Sequence, residues 1–212
     1  MIPLDDLFHR LQSEDGDPVF DPGAILEDIA SRTKEEELQF RQHPLGFWLA
    51  DIPSPVPDGR SRVHVWPEDY QMRGDQQGTI HTHTWELRSA VVAGTIRNLS
   101  HQLTDGGNFD VSRVEYQLPD RTQLIPVRRK VTPVVSHVSE TRAGQVYGEL
   151  AGDYHSTELK TAPAVTVVLA IPRTDVAHVL VAGGVDIRQD PVVRDIVPTR
   201  EVLSTLISTA AY

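Results

Sequence analysis

From Gly46 onward the chain runs in short β-rich stretches separated by turn residues, with no helix-sized segment between them. The stretches are Phe47–Ile52, Arg62–Trp66, Thr79–Trp85, Ser89–Ile96, Ser112–Leu118, Val131–Val138, Val146–Leu150, Val165–Ile171 and Val179–Val181. Pro53, Pro55, Pro57, Asp58-Gly59, Gly74, Gly106-Gly107, Pro119, Gly144 and Gly152 lie between them. Parallel strands need long crossovers, so this texture excludes a doubly wound α/β fold. It predicts an all-β sandwich or barrel built from antiparallel strands.

Helical signals flank the β region. Over Ile2–Leu11, Leu4, Leu7, Phe8 and Leu11 fall at the spacing of one helix face, and Pro3 suits the first turn. Asp21-Pro22 predicts a second helix, with Asp21 as N-cap and Pro22 at the first helical position. Its apolar face is Ile25, Ile29 and Leu38, its solvated face includes Lys34–Glu37, and His43-Pro44 is expected to end it. Thr199–Ala211 predicts a closing helix, with Thr199 as cap and Val202, Leu203, Leu206 and Ile207 on one side. The expected organisation is a helical segment over 1–45, a β-barrel over 46–183 and an extension with a helix over 184–212.

Charge and cysteine usage narrow the function. The 212 residues carry a formal charge of -10, which disfavours nucleic acid and anionic membranes as partners. Arg128, Arg129 and Lys130 form the one tight basic cluster. There is no cysteine, so disulfides, zinc ribbons, iron–sulfur clusters and cysteine nucleophiles are excluded. Cytosol is the default expectation for such a chain. No run of about 18 apolar residues predicts a membrane span, and acids in MIPLDDLFHRL argue against a signal peptide.

The chemistry is concentrated in Gly78-Thr-Ile-His81-Thr-His83-Thr-Trp85-Glu86-Leu-Arg88 and the strand that follows to Gly94. Residues two apart on a strand share a face, so His81 and His83 project side by side and can chelate one divalent ion. Such a pair needs a third ligand. His155, at the entrance to the strongly β stretch Ala164–Ile171, is the choice, with His137 in reserve. Glu86 falls on the opposite face by alternation, which favours three histidines over three histidines and a glutamate.

These strings resemble the first motif of the cupin superfamily, and most closely the thiol dioxygenase branch that includes cysteine dioxygenase. The resembling parts are Thr79-Ile-His81-Thr-His83-Thr84 and Tyr154-His155 through Pro163-Ala-Val to Ala170, within about Arg62 to Ile171. The resemblance implies a small antiparallel β-barrel of cupin or jelly-roll type. It implies Fe(II) on His81, His83 and His155, and a small thiol or amino acid oxidised with O2. It also implies an arginine that grips a substrate carboxylate and a tyrosine near the metal. Arg88 and Tyr154 are the expected residues for those roles, with Arg60, Arg62, Arg73 and Tyr147 as alternatives. Glu86, Glu158 and Asp153 are candidate acceptors for the distal ring N–H groups. A homodimer is admitted by the same resemblance. A non-redox metal-dependent cupin and a ligand-binding cupin without catalysis are the competing readings.

Overall fold

A computed structural model describes residues 3–13, 16–43, 45–68, 79–118, 121–174, 176–182, 192–193 and 195–209. Expectations at Ile2, Arg73, Gly74, Gly78, Pro119, Gly183 and Ala211 lie outside them.

Two helices come first. In α1 (Leu4–Gln12) the residues Leu4, Leu7, Phe8 and Leu11 are all buried, as the spacing requires. Its first amide, Leu4 N, donates to Asp28 Oδ2 of the next helix at 2.9 Å. α2 (Pro22–Lys34) is capped by Asp21, whose Oδ1 accepts from Gly23 N at 3.0 Å and Ala24 N at 3.4 Å. It ends at Lys34, well before the predicted stop at His43-Pro44. Glu35, Glu36 and Glu37 stand at the negative end of the helix dipole, where acids are disfavoured. Glu36 turns to a φ of 63° and the chain leaves the helix there, with Leu38 still buried in the helical core.

The sheet is antiparallel and curls into a half-barrel. Its strands are β1 (Arg41–Gln42), β2 (Trp48–Ile52), β3 (Arg60–Trp66), β4 (Trp85–Leu118), β5 (Arg121–Arg142), β6 (Val146–Glu149), β7 (Tyr154–Pro172), β8 (Ala177–Ala182) and β9 (Val192–Val193). The path β1-β2-β3-β7-β4-β5-β9 is continuous, with β6 and β8 also paired to β4. Thus pairing starts just ahead of Gly46, and β9 brings part of the C-terminal extension onto β5.

β4 organises the barrel because its 34 residues serve four partners. Along one edge Trp85–His101 pairs with β7, then Phe109–Val114 with β8. Along the other, Leu87–Ala90 pairs with β6, then Thr95–Leu118 with β5. The stretches Ser89–Ile96 and Ser112–Leu118 are therefore parts of one strand. Gly106-Gly107 makes an irregularity in the β4–β5 ladder rather than a turn between separate strands. At Gly94 the β4–β7 register shifts, φ is +77°, and a Cβ would lie 2.7 Å from the Ala164 side chain. Only glycine fits that bulge, which bends the strand.

The two faces of the sheet have different fates. Val63, Val65, Ala90, Val92, Val165, Val167 and Leu169 pack on α1, α2 and α3 (Thr199–Thr209) in the main core. In α3 the buried stripe is Val202, Leu206 and Thr209, while Ile207 is exposed and Thr199 is already helical rather than a cap. The concave face carries Phe47, Leu49, Trp66, Val91, Ile96 and Ala164 as a second core. Among the described residues no helix is long and apolar enough to cross a membrane.

Candidate metal centre

The short segment around His81 is held between β7 and β8. His81 N donates to His155 O at 3.0 Å and His155 N donates back to His81 O at 2.9 Å. Residues paired directly across an antiparallel ladder project to the same face, which brings His155 to His81. His83, two residues on, joins them, and its carbonyl accepts from Gly152 N at 3.0 Å. On the other edge Thr82 N donates to His178 O at 2.7 Å, and Thr82 Oγ1 accepts from His178 N at 2.9 Å. Thr82 is buried and locks the segment between its neighbours. The sequence gives it no metal-ligand signal, and its role follows from the alternation that sends it away from the histidines.

The three imidazoles converge. Ring centroids are 4.7 Å apart for His81–His83, 4.7 Å for His81–His155 and 4.9 Å for His83–His155. One nitrogen from each ring lies within 4.8 Å of the others, so the group could hold a metal ion. His81 Nδ1 is 3.2 Å from Thr79 O, and His155 Nδ1 is 3.2 Å from Asp153 O. A carbonyl can only accept, so each Nδ1 carries the proton and each Nε2 keeps its lone pair for a metal. Backbone carbonyls thus do the orienting expected of the carboxylates of Glu86, Glu158 and Asp153. Burial, reinforced by His81, lowers His155 to about 3, and burial with His81 and His155 takes His83 well below its usual value. Neutral imidazoles are the ligating form, and they impose no negative charge on the ion.

Beside His81 and His83 the concave face encloses a cavity of about 100 Å³. Phe47, Leu49, Trp66, Trp85, Leu87, Val168 and Ala170 form its apolar walls, and Arg62, His64, Tyr147, Ser89 and Thr157 its polar part. The aromatic wall is ordered by stacking: His43 lies on Phe47 at 4.2 Å, and Phe47 packs on Trp66 at 4.4 Å. Compared with protein-family models and with curated proteins, the sequence matches none.

Two expected site residues lie elsewhere. Arg88 points to the other face of β4, where its guanidinium donates to the carbonyls of Leu11 at 3.3 Å, Gln12 at 3.4 Å and Ser13 at 2.9 Å. It closes the C-terminal end of α1 rather than lining the histidine cavity. Glu86 is beside it, 3.1 Å from Arg88 Nε and 3.0 Å from Arg173 Nε. Against the upward pull of burial, these two arginines hold Glu86 below the usual carboxylate range. Alternation across an unbulged Trp85–Ser89 puts both charges opposite the histidines. Tyr154 also faces away from His155 and packs with Val111, Val131 and Leu180. His137, the reserve ligand, is exposed on β5.

Two of the alternatives, Arg62 and Tyr147, line the cavity. Arg62, on β3, lines the cavity, and its Nε donates to Asp51 Oδ1 at 2.8 Å. Tyr147, paired with Ser89 across β4–β6, lines it from the other side. Arg60 lies over the Trp85 ring at 4.7 Å. Strand phase relative to His81, which needs the sheet pairing, is the signal that separates Arg62 from Arg88.

Proposed function

We propose that the chain is a mononuclear non-haem iron oxygenase of cupin type that oxidises a compact thiol or small amino acid with O2. The observation that carries this reading is the half-buried three-histidine cluster, two of whose rings line a small cavity with one arginine in its wall. Bound there, Fe(II) would supply oxygen activation and a Lewis-acidic anchor for the substrate. Everything else is the work of the chain. His81, His83 and His155 would hold the ion on one side and leave its charge uncompensated, which favours an anionic donor atom from the substrate. Asp51, bonded to both Arg41 and Arg62, fixes the Arg62 guanidinium, whose planar fork suits a carboxylate. Phe47, Trp66 and Trp85 exclude water from the reacting end. A cavity of about 100 Å³ offers roughly seven to ten water-sized positions, which limits the substrate to a few heavy atoms.

The test is oxygen uptake by protein loaded with Fe(II) under anaerobic conditions and then mixed with O2 and a panel of small thiols and amino acids. Uptake that depends on one of them, and that disappears in His83→Ala, is the expected result. Stoichiometric iron with no substrate-dependent uptake across the panel would overturn the oxygenase reading and leave a metal centre of non-redox function.

A further inference from the structure

At one corner of the histidine cavity, lined by Ser89, Tyr147 and Thr157, lie uncharged polar groups that the fold leaves unsatisfied, with Asn98 behind Thr157. Ser89 and Asn98 on β4 are 1% and 3% exposed. Buried hydroxyls and amides are normally hydrogen-bonded, because leaving them unpaired is costly. Yet Ser89 Oγ and Asn98 Nδ2 have no hydrogen-bond partner. Both stand beside the Tyr147 hydroxyl, without reaching hydrogen-bond geometry with it. The other end of the Asn98 amide is taken: Thr157 Oγ1 donates to Asn98 Oδ1 at 2.9 Å. That contact assigns the amide, leaving its NH2 as the free end. Burial pushes the Tyr147 hydroxyl up to about 12, so it keeps its proton at neutral pH.

Sheet register places this corner next to the metal centre. Thr157 is two residues beyond His155 on the same face of β7, about 7 Å along the strand, and it pairs with Asn98. Ser89 pairs with Tyr147 on one side and with Val168 on the other. The corner therefore joins three strands, within reach of a short molecule held at the histidines.

We infer that Tyr147, Ser89 and Asn98 form a specificity subsite that receives a hydrogen-bond-accepting oxygen of an uncharged carbonyl or amide group on the substrate. The donors are a phenol, a hydroxyl and an amide NH2, with no cation among them. A carboxylate is better served by Arg62 on β3. An acceptor oxygen would satisfy groups that are otherwise orphaned. A hydrocarbon in the same place would leave them orphaned, the arrangement that gives polar sites their largest discrimination. The substrate this assigns is a compact molecule with a metal-binding atom at one end and a carbonyl-type oxygen about four bonds away. The inference rests on the metal-centre reading for the position of the first end only.

The test uses Co(II), which reports its own binding and that of thiolates by visible absorption. The probes are 3-mercaptopropanamide and the similarly shaped 3-methylbutane-1-thiol, which replaces the amide by an isopropyl group. In the Co(II)-loaded protein the amide should bind at least tenfold more tightly. Tyr147→Phe and Asn98→Ala should each cut that preference to less than about threefold while the cobalt bands persist. In the metal-free protein Ser89→Ala should leave Tm unchanged or about 2 °C higher, because it removes a buried orphan rather than a bonded hydroxyl. Equal binding of the two thiols would overturn the subsite, and so would a Tm lowered by more than about 2 °C in Ser89→Ala. Failure of Co(II) to bind overturns the metal centre instead. The subsite is then decided by the Ser89→Ala Tm alone.

Discussion

Five consecutive residues, Trp85 to Ser89, serve two cavities with opposite characters. Trp85, Leu87 and Ser89 look into the histidine cavity, of about 100 Å³, while Glu86 and Arg88 line a larger one of about 520 Å³ beneath α1. In the larger cavity Glu86 and Arg88 are fully partnered: Glu86 has two arginines, and Arg88 has Glu86 and the carbonyls of Leu11, Gln12 and Ser13. In the smaller one burial keeps His83 and His155 neutral, the Nδ1 atoms of His81 and His155 face backbone carbonyls, and the buried Ser89 hydroxyl lacks a partner. A cavity full of bonded charge is a structural joint, whatever its size. A cavity holding unspent donor and acceptor capacity is where a ligand gains most. A shift of one residue in the phase of β4 would exchange the two sets.

The sharpest break in that comparison is at the histidines. His83→Ala or His155→Ala should weaken Fe(II) or Co(II) binding by more than about a hundredfold, since even groups that merely orient a ligand are worth 10–100-fold. Equilibrium dialysis with metal determination measures it. Arg88→Ala, in the other cavity, should leave metal binding unchanged. It should lower stability by about 1–2 kcal/mol through the unpaired carbonyls of Leu11, Gln12 and Ser13. That is a Tm drop of about 2–8 °C for a chain of this size. If Arg88→Ala instead spared Tm and removed metal or ligand binding, the assignment of the two faces would be reversed.

Glu149 sharpens the comparison by pH. It lines the larger cavity, and burial together with Asp153 raises its carboxyl to about 7, from 4.5. The folded state therefore holds a proton that the unfolded state releases at lower pH. The sign follows: folding stability falls as pH rises from about 4.5 to about 7, and levels off above that. The loss is on the order of 1–3 kcal/mol. Glu149→Gln should abolish that slope and be the more stable protein at pH 8, as urea melts at pH 5 and 8 will show. The smallest expected effect is at Asp51. Against burial, Arg62 and Arg41 hold its carboxylate below the usual range, but the pair is partly exposed. Asp51→Asn should cost less than about 1 kcal/mol of stability. On the proposed function it also raises KM with kcat nearly unchanged, because the Arg62 guanidinium loses its anchor.

Much of this was legible because β alternation is local. The period of two paired His81 with His83 and set Glu86 apart from them, while the expectation of Arg88 at the site ran against the same alternation, and the helical spacing of Leu4, Leu7, Phe8 and Leu11 marked the buried face of α1. His155 could be chosen as third ligand because it opens a strongly β stretch, though its position opposite His81 is a matter of pairing. What stayed hidden depends on register between distant strands. Arg62 and Tyr147 reach the cavity only because β3 pairs with β7 and β6 pairs with β4. Tyr154 read as a site residue by adjacency to His155, yet neighbours on a strand point to opposite faces. The polar stretch from Ser100 to Asn108 hid the continuity of β4, because its side chains lie on a hairpin with much exposed surface. Glu35, Glu36 and Glu37 ended α2 early through the helix dipole, an effect that a search for a proline stop passes over.

The central claim is that His81, His83 and His155 hold one metal ion through three neutral imidazoles. Its most direct test is metal determination after anaerobic dialysis of the tag-free protein against Fe(II), with the native chain and His83→Ala side by side. One iron per native chain and less than about a tenth as much in the variant is the expected result. Equal iron in both, or no stoichiometric iron in the native chain under conditions where it is folded, would contradict it.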